Sequence, residues 1–250
     1  LTPQPEGLSV LQSNFSIGFY GMGLGHKNLV ITAGQASDLG LGRRKGLHRY
    51  IRPVVRGRDM SFAPRGLYGI DFYGLSVEEV EERYPEAFEW LKTRVFPERK
   101  VSDNPQIRDK WWQPYNPSPF SRVMQQGIDR KIITPATSVS RYFAFVSPDT
   151  ITDRGGVYEI YLDDVFYLGV LTSSLYVNWS LATGTRQRIG YRYLAKCFTK
   201  FPFPNCGEAE REAVRRAMGR SLAQQEKNYT GQEGWTMARV RGLMAEIRGG

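Results

Sequence analysis

Cysteine and histidine are scarce in this sequence. It contains two cysteines, Cys197 and Cys206, and two histidines, His26 and His48, among 250 residues. Two cysteines exclude a disulfide framework and are typical of a reduced intracellular compartment, so we predict a cytoplasmic protein. Two histidines exclude a histidine-rich metal site and disfavour catalysis by a histidine base.

The sequence also lacks a signal peptide and a clear membrane span. Because the chain begins at Leu1 rather than at a methionine, we expect it to be part of a longer protein. The one long uncharged run, residues 165–185, contains nine residues that are not apolar, which is too many for a lipid-exposed helix. We predict that this run is a helix buried inside the protein, and we expect no membrane partner.

Catalytic signatures are weak. Residues 19–23 (FYGMG) match the short glycine-rich pattern of cofactor loops, but no amphipathic helix follows to present its N-terminus to a phosphate. We interpret these glycines as a tight turn or as sites of close backbone approach. Asp149 and Glu159 resemble the acidic pair of metal-dependent nucleases, but Tyr161 stands where such a site needs lysine. A nuclease is therefore the weakest of our alternatives, and we expect no bound metal or cofactor.

Positive charge is what the sequence has in excess. Lysine and arginine total 34 against 25 acidic residues, a net charge of +9, and arginine supplies 25 of the 34. Residues 43–65 contain eight cations and one anion, Asp59, and residues 184–192 read GTRQRIGYR. Arginine and glutamine are the side chains that bind phosphates and read guanine and adenine edges. These two segments predict a nucleic-acid interface, and the alternative is a solvated basic surface.

The hydrophobic pattern predicts an α+β fold, with a mixed sheet, a buried helix and a C-terminal helical tail. Ser76 and Glu79 form a capping box that starts a helix, and Pro85 interrupts it. Strands are expected at 67–72, 131–134, 141–146 and 157–162, and Asp163 and Asp164 cap the buried helix. From residue 207 the chain becomes helical, and we expect Ala213, Ala217 and Met218 to form its docking face.

Seven short motifs in a fixed order carry a family resemblance. They are YGMG at 20–23, IRPVVRGRDM at 51–60, YGIDF at 68–72, TPATS at 134–138 with RY at 141–142, LGVLTSS at 168–174, YRY at 191–193 and FPFP at 201–204. Over residues 15–206 the chain resembles the C-terminal region of large adenine-specific DNA methyltransferases, including the MmeI-like type IIG restriction–modification enzymes. These enzymes are bacterial, and in them this region is the target-recognition domain.

The resemblance implies a recognition module without its catalytic partner. The family's Asn-Pro-Pro-Tyr/Phe motif is missing, because the sequence has no Pro-Pro pair. We therefore expect residues 1–206 to be the DNA target-recognition domain, residues 207–250 to be a helical tail, and this fragment itself to be non-catalytic. The methyltransferase domain of the same parent chain would bind S-adenosylmethionine, and double-stranded DNA would be the partner of both.

The candidate DNA-binding residues combine the basic segments with polar positions of the motifs. They are Arg43, Arg44, Arg56, Arg58, Ser138, Arg141, Arg186, Gln187, Arg188, Tyr191 and Arg192. The second hypothesis is a protein-interaction module, in which the aromatic segment 111–120 (WWQPYNPSPF) and the helical tail dock on a catalytic partner.

Overall fold

The structure is a computed structural model that describes residues 14, 16–62, 64–188 and 190–229, with backbone alone for 221–229. The strands are β1 Gly18–Tyr20, β2 Val30–Ile31, β3 Ile51–Val55, β4 Leu67–Ile70, β5 Lys131–Pro135, β6 Thr137–Ser138, β7 Ala144–Val146, β8 Ile151–Thr152, β9 Val157–Ile160, β10 Thr185–Gln187 and β11 Gly190–Arg192. The helices are α1 Ala33–Asp38, α2 Gly57–Ser61, α3 Val77–Arg83, α4 Pro85–Arg94, α5 Phe96–Arg99, α6 Pro105–Asp109, α7 Pro119–Met124, α8 Val165–Thr172, α9 Ser174–Thr183, α10 Ala195–Thr199 and α11 Glu208–Tyr229.

The strands form three small sheets. One is antiparallel in the order β1-β9-β5-β7, and a second has the order β2-β4-β3-β8, in which β3 and β8 run parallel. The third joins β10, β11 and β6. The predicted α+β class, with a mixed sheet, a buried helix and a C-terminal helix, is confirmed.

Each of the two larger sheets has its own hydrophobic core. Ile51 and Ile70 on the mixed sheet pack with Leu91 of α4, and all three are nearly inaccessible to solvent. On the antiparallel sheet, Ile132 and Tyr158 pack with Phe166 of α8. Strand β9 is buried at every position, because elements cover both of its faces. A smaller cluster around Tyr142 and Val157 lies beside these cores.

The predicted helix start and break occur at the residues that the sequence indicates. The Ser76 side chain accepts a hydrogen bond from the Glu79 amide at 3.1 Å, and the Glu79 carboxylate accepts one from the Ser76 amide at 2.7 Å. Pro85 then begins α4 as its first residue. Proline is tolerated there because it has no amide hydrogen to donate to the preceding turn.

The buried run is two helices rather than one. Ser173 ends α8, and its hydroxyl accepts a hydrogen bond from the Tyr176 amide at the start of α9. The helices meet at a bend of 64°. Among the residues described, no single helix is long and apolar enough to cross a membrane, and only this bent pair passes on length and composition.

The last helix, α11, packs against α8. A side chain at Gly169 of α8 would overlap Val214 and Met218, which shows how closely the two helices approach. Arg215 binds Asp164, the N-cap of α8, at 2.7 Å. The predicted docking face is therefore partly wrong: Met218 is buried, but Ala213 and Ala217 are exposed. The i, i+4 pair Val214 and Met218 makes the contact instead. Residues 230–250 of the predicted tail lie outside the described part.

The FYGMG segment is a site of close backbone approach. A Cβ atom on Gly21 would lie 2.2 Å from the Thr152 hydroxyl and 2.3 Å from the Thr152 carbonyl oxygen. The Gly23 amide donates to the Asn116 carbonyl at 3.0 Å. This confirms the interpretation that these glycines admit neighbouring backbone.

Candidate nucleic-acid interface

Within the segment 184–192, the described residues form two paired strands, a β-hairpin, at the end of the smallest sheet in the described part of the chain. Strands β10 and β11 pair antiparallel, with Arg186 opposite Tyr191 and Gln187 opposite Gly190. Strand β11 then pairs with β6, so that Tyr191 is opposite Ser138. Directly opposed residues share a face of a sheet. Arg186, Tyr191 and Ser138 therefore lie on one face, and Gln187, Arg192 and Thr137 lie on the other.

The hairpin presents its basic side chains to solvent. Strand β10 is exposed at all three positions, and Arg188 beyond it is exposed as well. Within the part of the chain that the structure describes, neither Arg186 nor Arg188 has an acidic side chain within ion-pair distance. Gln187 accepts a hydrogen bond from the Thr137 hydroxyl at 3.3 Å. The two arginines are thus available to phosphates or base edges.

Arg192 and Tyr191 are half-buried at the base of the hairpin. The charge of Arg192 acts on the hydroxyl of Tyr20, and that hydroxyl donates to the Tyr193 carbonyl at 2.9 Å. Burial raises the pKa of Tyr20, and the adjacent Arg192 charge opposes part of that rise. Arg192 therefore interacts electrostatically with a tyrosine inside the protein.

Ser138 and Arg141 lie beneath the surface, at 8% and 4% exposure. The Ser138 hydroxyl donates to the Ser140 carbonyl at 2.7 Å. Arg141 donates to the carbonyls of Pro135 and Tyr191, the latter at 3.0 Å, and burial lowers its pKa. Contact of these two residues with DNA stays a prediction. The structure assigns both of them hydrogen bonds within the protein.

The start of α2 lies at the same end of the antiparallel sheet as the hairpin. A Cβ atom on Gly57 would lie 2.7 Å from the Gly156 carbonyl oxygen. That oxygen accepts from the Ala136 amide at 2.8 Å, and the Ala136 carbonyl accepts from the Tyr193 amide at 2.7 Å. Through this short series of backbone contacts the structure brings α2 close to strand β11.

The cations at the start of α2 have different surroundings. Arg58 is exposed, and its guanidinium lies over the ring of Phe62, 5.8 Å from the centroid. Phe62 is 64% exposed, and no sequence motif pointed to it. Arg56 is half-buried at the N-cap, where its amide donates to Asp59 at 2.9 Å. Burial raises the pKa of the neighbouring Asp153, and the Arg56 charge opposes that rise.

The other half of the predicted basic segment lies elsewhere. Arg44 forms an ion pair with Glu86 of α4 at 2.5 Å, and Arg43 donates to the Ser37 carbonyl of α1 at 3.0 Å. Arg52 is buried and pairs with Asp71. The structure therefore does not bring residues 43–58 together as one basic surface. It brings the start of α2, which carries Arg56 and Arg58, close to the residue that follows β11, and it places Arg43 and Arg44 against α1 and α4.

Glu159, one of the two acidic residues of the nuclease alternative, is held by other groups, whereas Asp149 is exposed. Glu159 accepts hydrogen bonds from Lys131 at 2.5 Å, from Thr152 at 2.7 Å and from Tyr161. No three His, Cys, Asp or Glu side chains in the described ranges come together in a way that could hold a metal ion. The adjoining cavity, lined by Arg52, Lys131 and Glu159 among others, has a volume of about 20 Å³. That is room for about one water molecule and too little for a cofactor.

Comparison with solved structures identifies a protein of the same fold. The chain superposes on the type IIL restriction-modification enzyme MmeI, whose structure is in complex with DNA, with a TM-score of 0.67 and 19% sequence identity. The match covers 93% of this chain and 29% of that one, so the chain spans less than a third of the length of MmeI. No family model and no curated protein matches the sequence. At 19% identity the likeness establishes a shared fold, and it transfers no residue roles.

Proposed function

We propose that this chain is a sequence-specific recognition module for double-stranded DNA. It would belong to an adenine-N6 DNA methyltransferase or restriction–modification enzyme and would itself lack the catalytic motifs. The observation that carries the proposal is the exposed β10–β11 hairpin, whose Arg186 and Arg188 have no acidic partner among the described residues. The fold shared with a restriction–modification enzyme that was solved with DNA supports it.

In this proposal the cations divide into two groups. Arg56 and Arg58 at the start of α2 would neutralise phosphates and set the register of the module on the duplex. Arg186, Gln187 and Arg188 at the exposed end of the hairpin would reach base edges, where a good bidentate pair contributes roughly 1–3 kcal/mol of discrimination. Adenine flipping and methylation would take place in the methyltransferase domain of the parent chain, with S-adenosylmethionine bound there, in the bacterial cytoplasm.

The first test is fluorescence anisotropy with a random-sequence duplex at about 50 and 200 mM salt. Phosphate neutralisation predicts that the affinity falls by orders of magnitude between the two conditions. Selection from a random duplex pool then gives the preferred sequence. The proposal fails if the chain binds no duplex at the lower salt, or if selection enriches no sequence.

A matched pair of variants then tests the hairpin. Arg188→Ala removes a cation that has no acidic partner among the described residues, whereas Arg44→Ala removes one that Glu86 already neutralises. We expect Arg188→Ala to reduce the discrimination against the wrong base by about 1–3 kcal/mol at one base pair of the selected sequence. Arg44→Ala should leave both affinity and preference unchanged. Equal effects of the two variants would show that only net charge matters.

A protein-interaction module is the second candidate, and α7 supplies an observation in its favour. Phe120 and Val123 of this helix are 70% and 64% exposed. Under this alternative the chain binds a catalytic partner domain with little dependence on salt and is not retained on heparin. A chain that binds DNA with a steep salt dependence would contradict it.

A further inference from the structure

We propose that Arg141 is a positioning residue for DNA reading. Its buried guanidinium holds the β10–β11 hairpin against the corner between β5 and β6, and it does not itself contact DNA. The inference rests on the proposed function of the hairpin, but the part that concerns hairpin geometry can be measured without DNA.

The geometry of Arg141 connects the hairpin to the antiparallel sheet. One terminal nitrogen donates to the Thr134 hydroxyl at 3.1 Å and to the Pro135 carbonyl at the end of β5. The other terminal nitrogen donates to the Tyr191 carbonyl of β11 at 3.0 Å. The guanidinium also lies over the ring of Tyr193, 4.9 Å from the centroid. A single planar group thus fixes the spacing between two sheets.

Few other hydrogen bonds in the described part of the chain hold the hairpin to the rest of the protein. Among the described residues, strand β11 pairs with β6 at two positions, Tyr191 with Ser138 and Arg192 with Thr137, and the Thr137 hydroxyl also donates to Gln187. Beyond the strand, the Tyr193 amide donates to the Ala136 carbonyl, and the Tyr20 hydroxyl donates to the Tyr193 carbonyl. A ladder this short does not by itself fix the orientation of the hairpin. The hydrogen bonds of Arg141 therefore contribute much of what holds the hairpin in that orientation.

The chemical setting of Arg141 requires an arginine rather than any cation. Its partners in the described part of the chain are neutral acceptors, and no carboxylate is within ion-pair distance. Burying a cation without an opposite charge is costly, so the residue is not explained by stability alone. The rigid guanidinium fork reaches carbonyls on both sides at once, whereas a lysine ammonium would act as a point charge.

The experiment compares Arg141→Lys with wild type in the full 250-residue chain. Hydrogen exchange of the amides in 185–192 is measured without DNA. Sequence preference and the salt dependence of affinity are then measured on the selected duplex. If Arg141 positions the hairpin, the substitution accelerates hairpin exchange at least tenfold and reduces discrimination between the selected and random duplexes at least tenfold. The salt slope stays the same, because no phosphate contact is lost.

Arg99 is the matched control. It is equally buried and also donates to carbonyls, those of Leu24, Trp111 and Gln113, in the other hydrophobic core. We expect Arg99→Lys to lower thermal stability without changing hairpin exchange or sequence preference. If Arg141→Lys does not fold, as judged by circular dichroism, Thr134→Val removes one acceptor of the fork. Thr134→Val should also accelerate amide exchange in the hairpin, by a smaller factor than Arg141→Lys.

Three results would overturn the inference. Unchanged hairpin exchange in Arg141→Lys would show that the fork does not hold the hairpin. A salt slope reduced by about 1 in a charge-removing Arg141→Gln variant, with discrimination intact, would assign Arg141 a direct phosphate contact. If Arg99→Lys accelerates hairpin exchange as much as Arg141→Lys does, Arg141 contributes only to the general stability of the protein. If the wild-type chain binds no DNA, the proposed function fails, and the exchange data separately decide the hairpin geometry.

Discussion

Arginine residues of this chain differ in role according to what surrounds each guanidinium. Arg44 is neutralised by Glu86, Arg52 is buried against Asp71, and burial lowers the pKa of Arg99 to about 10. Arg186 and Arg188 alone of the hairpin cations have neither burial nor an acidic partner among the residues described. The net charge therefore overstates the number of cations available to DNA, because many of them already form contacts within the folded protein.

At the residue scale we predict a large stability loss for Glu159→Gln. The carboxylate forms a buried ion pair with Lys131, and removing one partner leaves the other charge buried and uncompensated. The free energy of unfolding in urea should fall by about 3–5 kcal/mol. Glu89→Gln, which removes the exposed partner of Lys92, should change it by less than about 1 kcal/mol. A loss for Glu159→Gln no larger than that control would contradict the prediction.

At the element scale, the approach of two helices is decided by one small residue. Helix α11 lies so close to α8 that a Cβ atom on Gly169 would be 2.4 Å from Val214 and 2.9 Å from Met218. Asp164 at the N-cap of α8 adds an ion pair with Arg215. The C-terminal helix is thus joined to the buried helix by packing and by charge. The boundary predicted between residues 206 and 207 remains a prediction.

We predict opposite effects for the same substitution at two helical glycines. Gly169→Ala should destabilise the chain, because the added methyl group displaces α11. Gly219→Ala, where a Cβ atom meets nothing within 4 Å, should stabilise it by up to about 1 kcal/mol through helix propensity. Thermal unfolding measures both. A stabilising shift for Gly169→Ala would show that the contact between α8 and α11 is not tight.

Docking of α11 should also depend on pH. Hydrogen bonding to Arg215 holds the pKa of Asp164 below its usual value of 3.8. A carboxylate with a lowered pKa in the folded state stabilises that state above about 3.8, and the contribution is lost as pH falls through the folded pKa. Proteolysis within α11 should therefore accelerate below pH 3.8 in wild type.

Two arginine variants provide the comparison. Arg215→Gln should show faster proteolysis already at neutral pH, whereas Arg216→Gln, at an exposed position, should behave like wild type. If proteolysis of Arg215→Gln depends on pH as it does in wild type, the ion pair between Arg215 and Asp164 does not hold α11 in place.

At the scale of the whole molecule, two cores and three sheets bring distant basic segments to one end. The start of α2 is linked to Tyr193, the residue after β11, through Gly156 and Ala136, although these segments are over a hundred residues apart in the chain. Of the other cations in the basic segment 43–58, Arg43 contacts α1, Arg44 pairs with α4, and Arg52 is buried against Asp71. The distribution of charge, rather than its sum, therefore defines the candidate interface.

Charge-matched double variants test that distribution. Arg186→Ala with Arg188→Ala and Arg43→Ala with Arg44→Ala each remove two positive charges. We expect the hairpin pair to reduce the salt slope of duplex binding by up to about 2 and to weaken binding strongly. The second pair should leave both nearly unchanged in the same anisotropy assay. Equal losses would mean that DNA responds only to the net charge of the molecule.

The local pattern of the sequence determined several of the main elements of the fold. The capping box at Ser76, the break at Pro85 and the strand beginning at Lys131 all follow from interactions within a few residues. The same is true of the Asp164 cap and of the helix that begins at Glu208. The predicted single buried helix was wrong at one point, because the run of uncharged residues concealed the Ser173 cap that divides it.

Only the tertiary structure decided which cations are available and which are not. Sequence pattern treats Arg141, Arg44 and Arg188 alike, because the charge of a guanidinium does not depend on its neighbours in the chain. In the folded protein one is buried against carbonyls, one is paired with Glu86 and one is exposed. The partners that separate them lie 6 to 50 residues away in sequence and meet only when the sheets and helices pack. Burial and long-range pairing are properties of that packing, so residue type and local spacing cannot supply them.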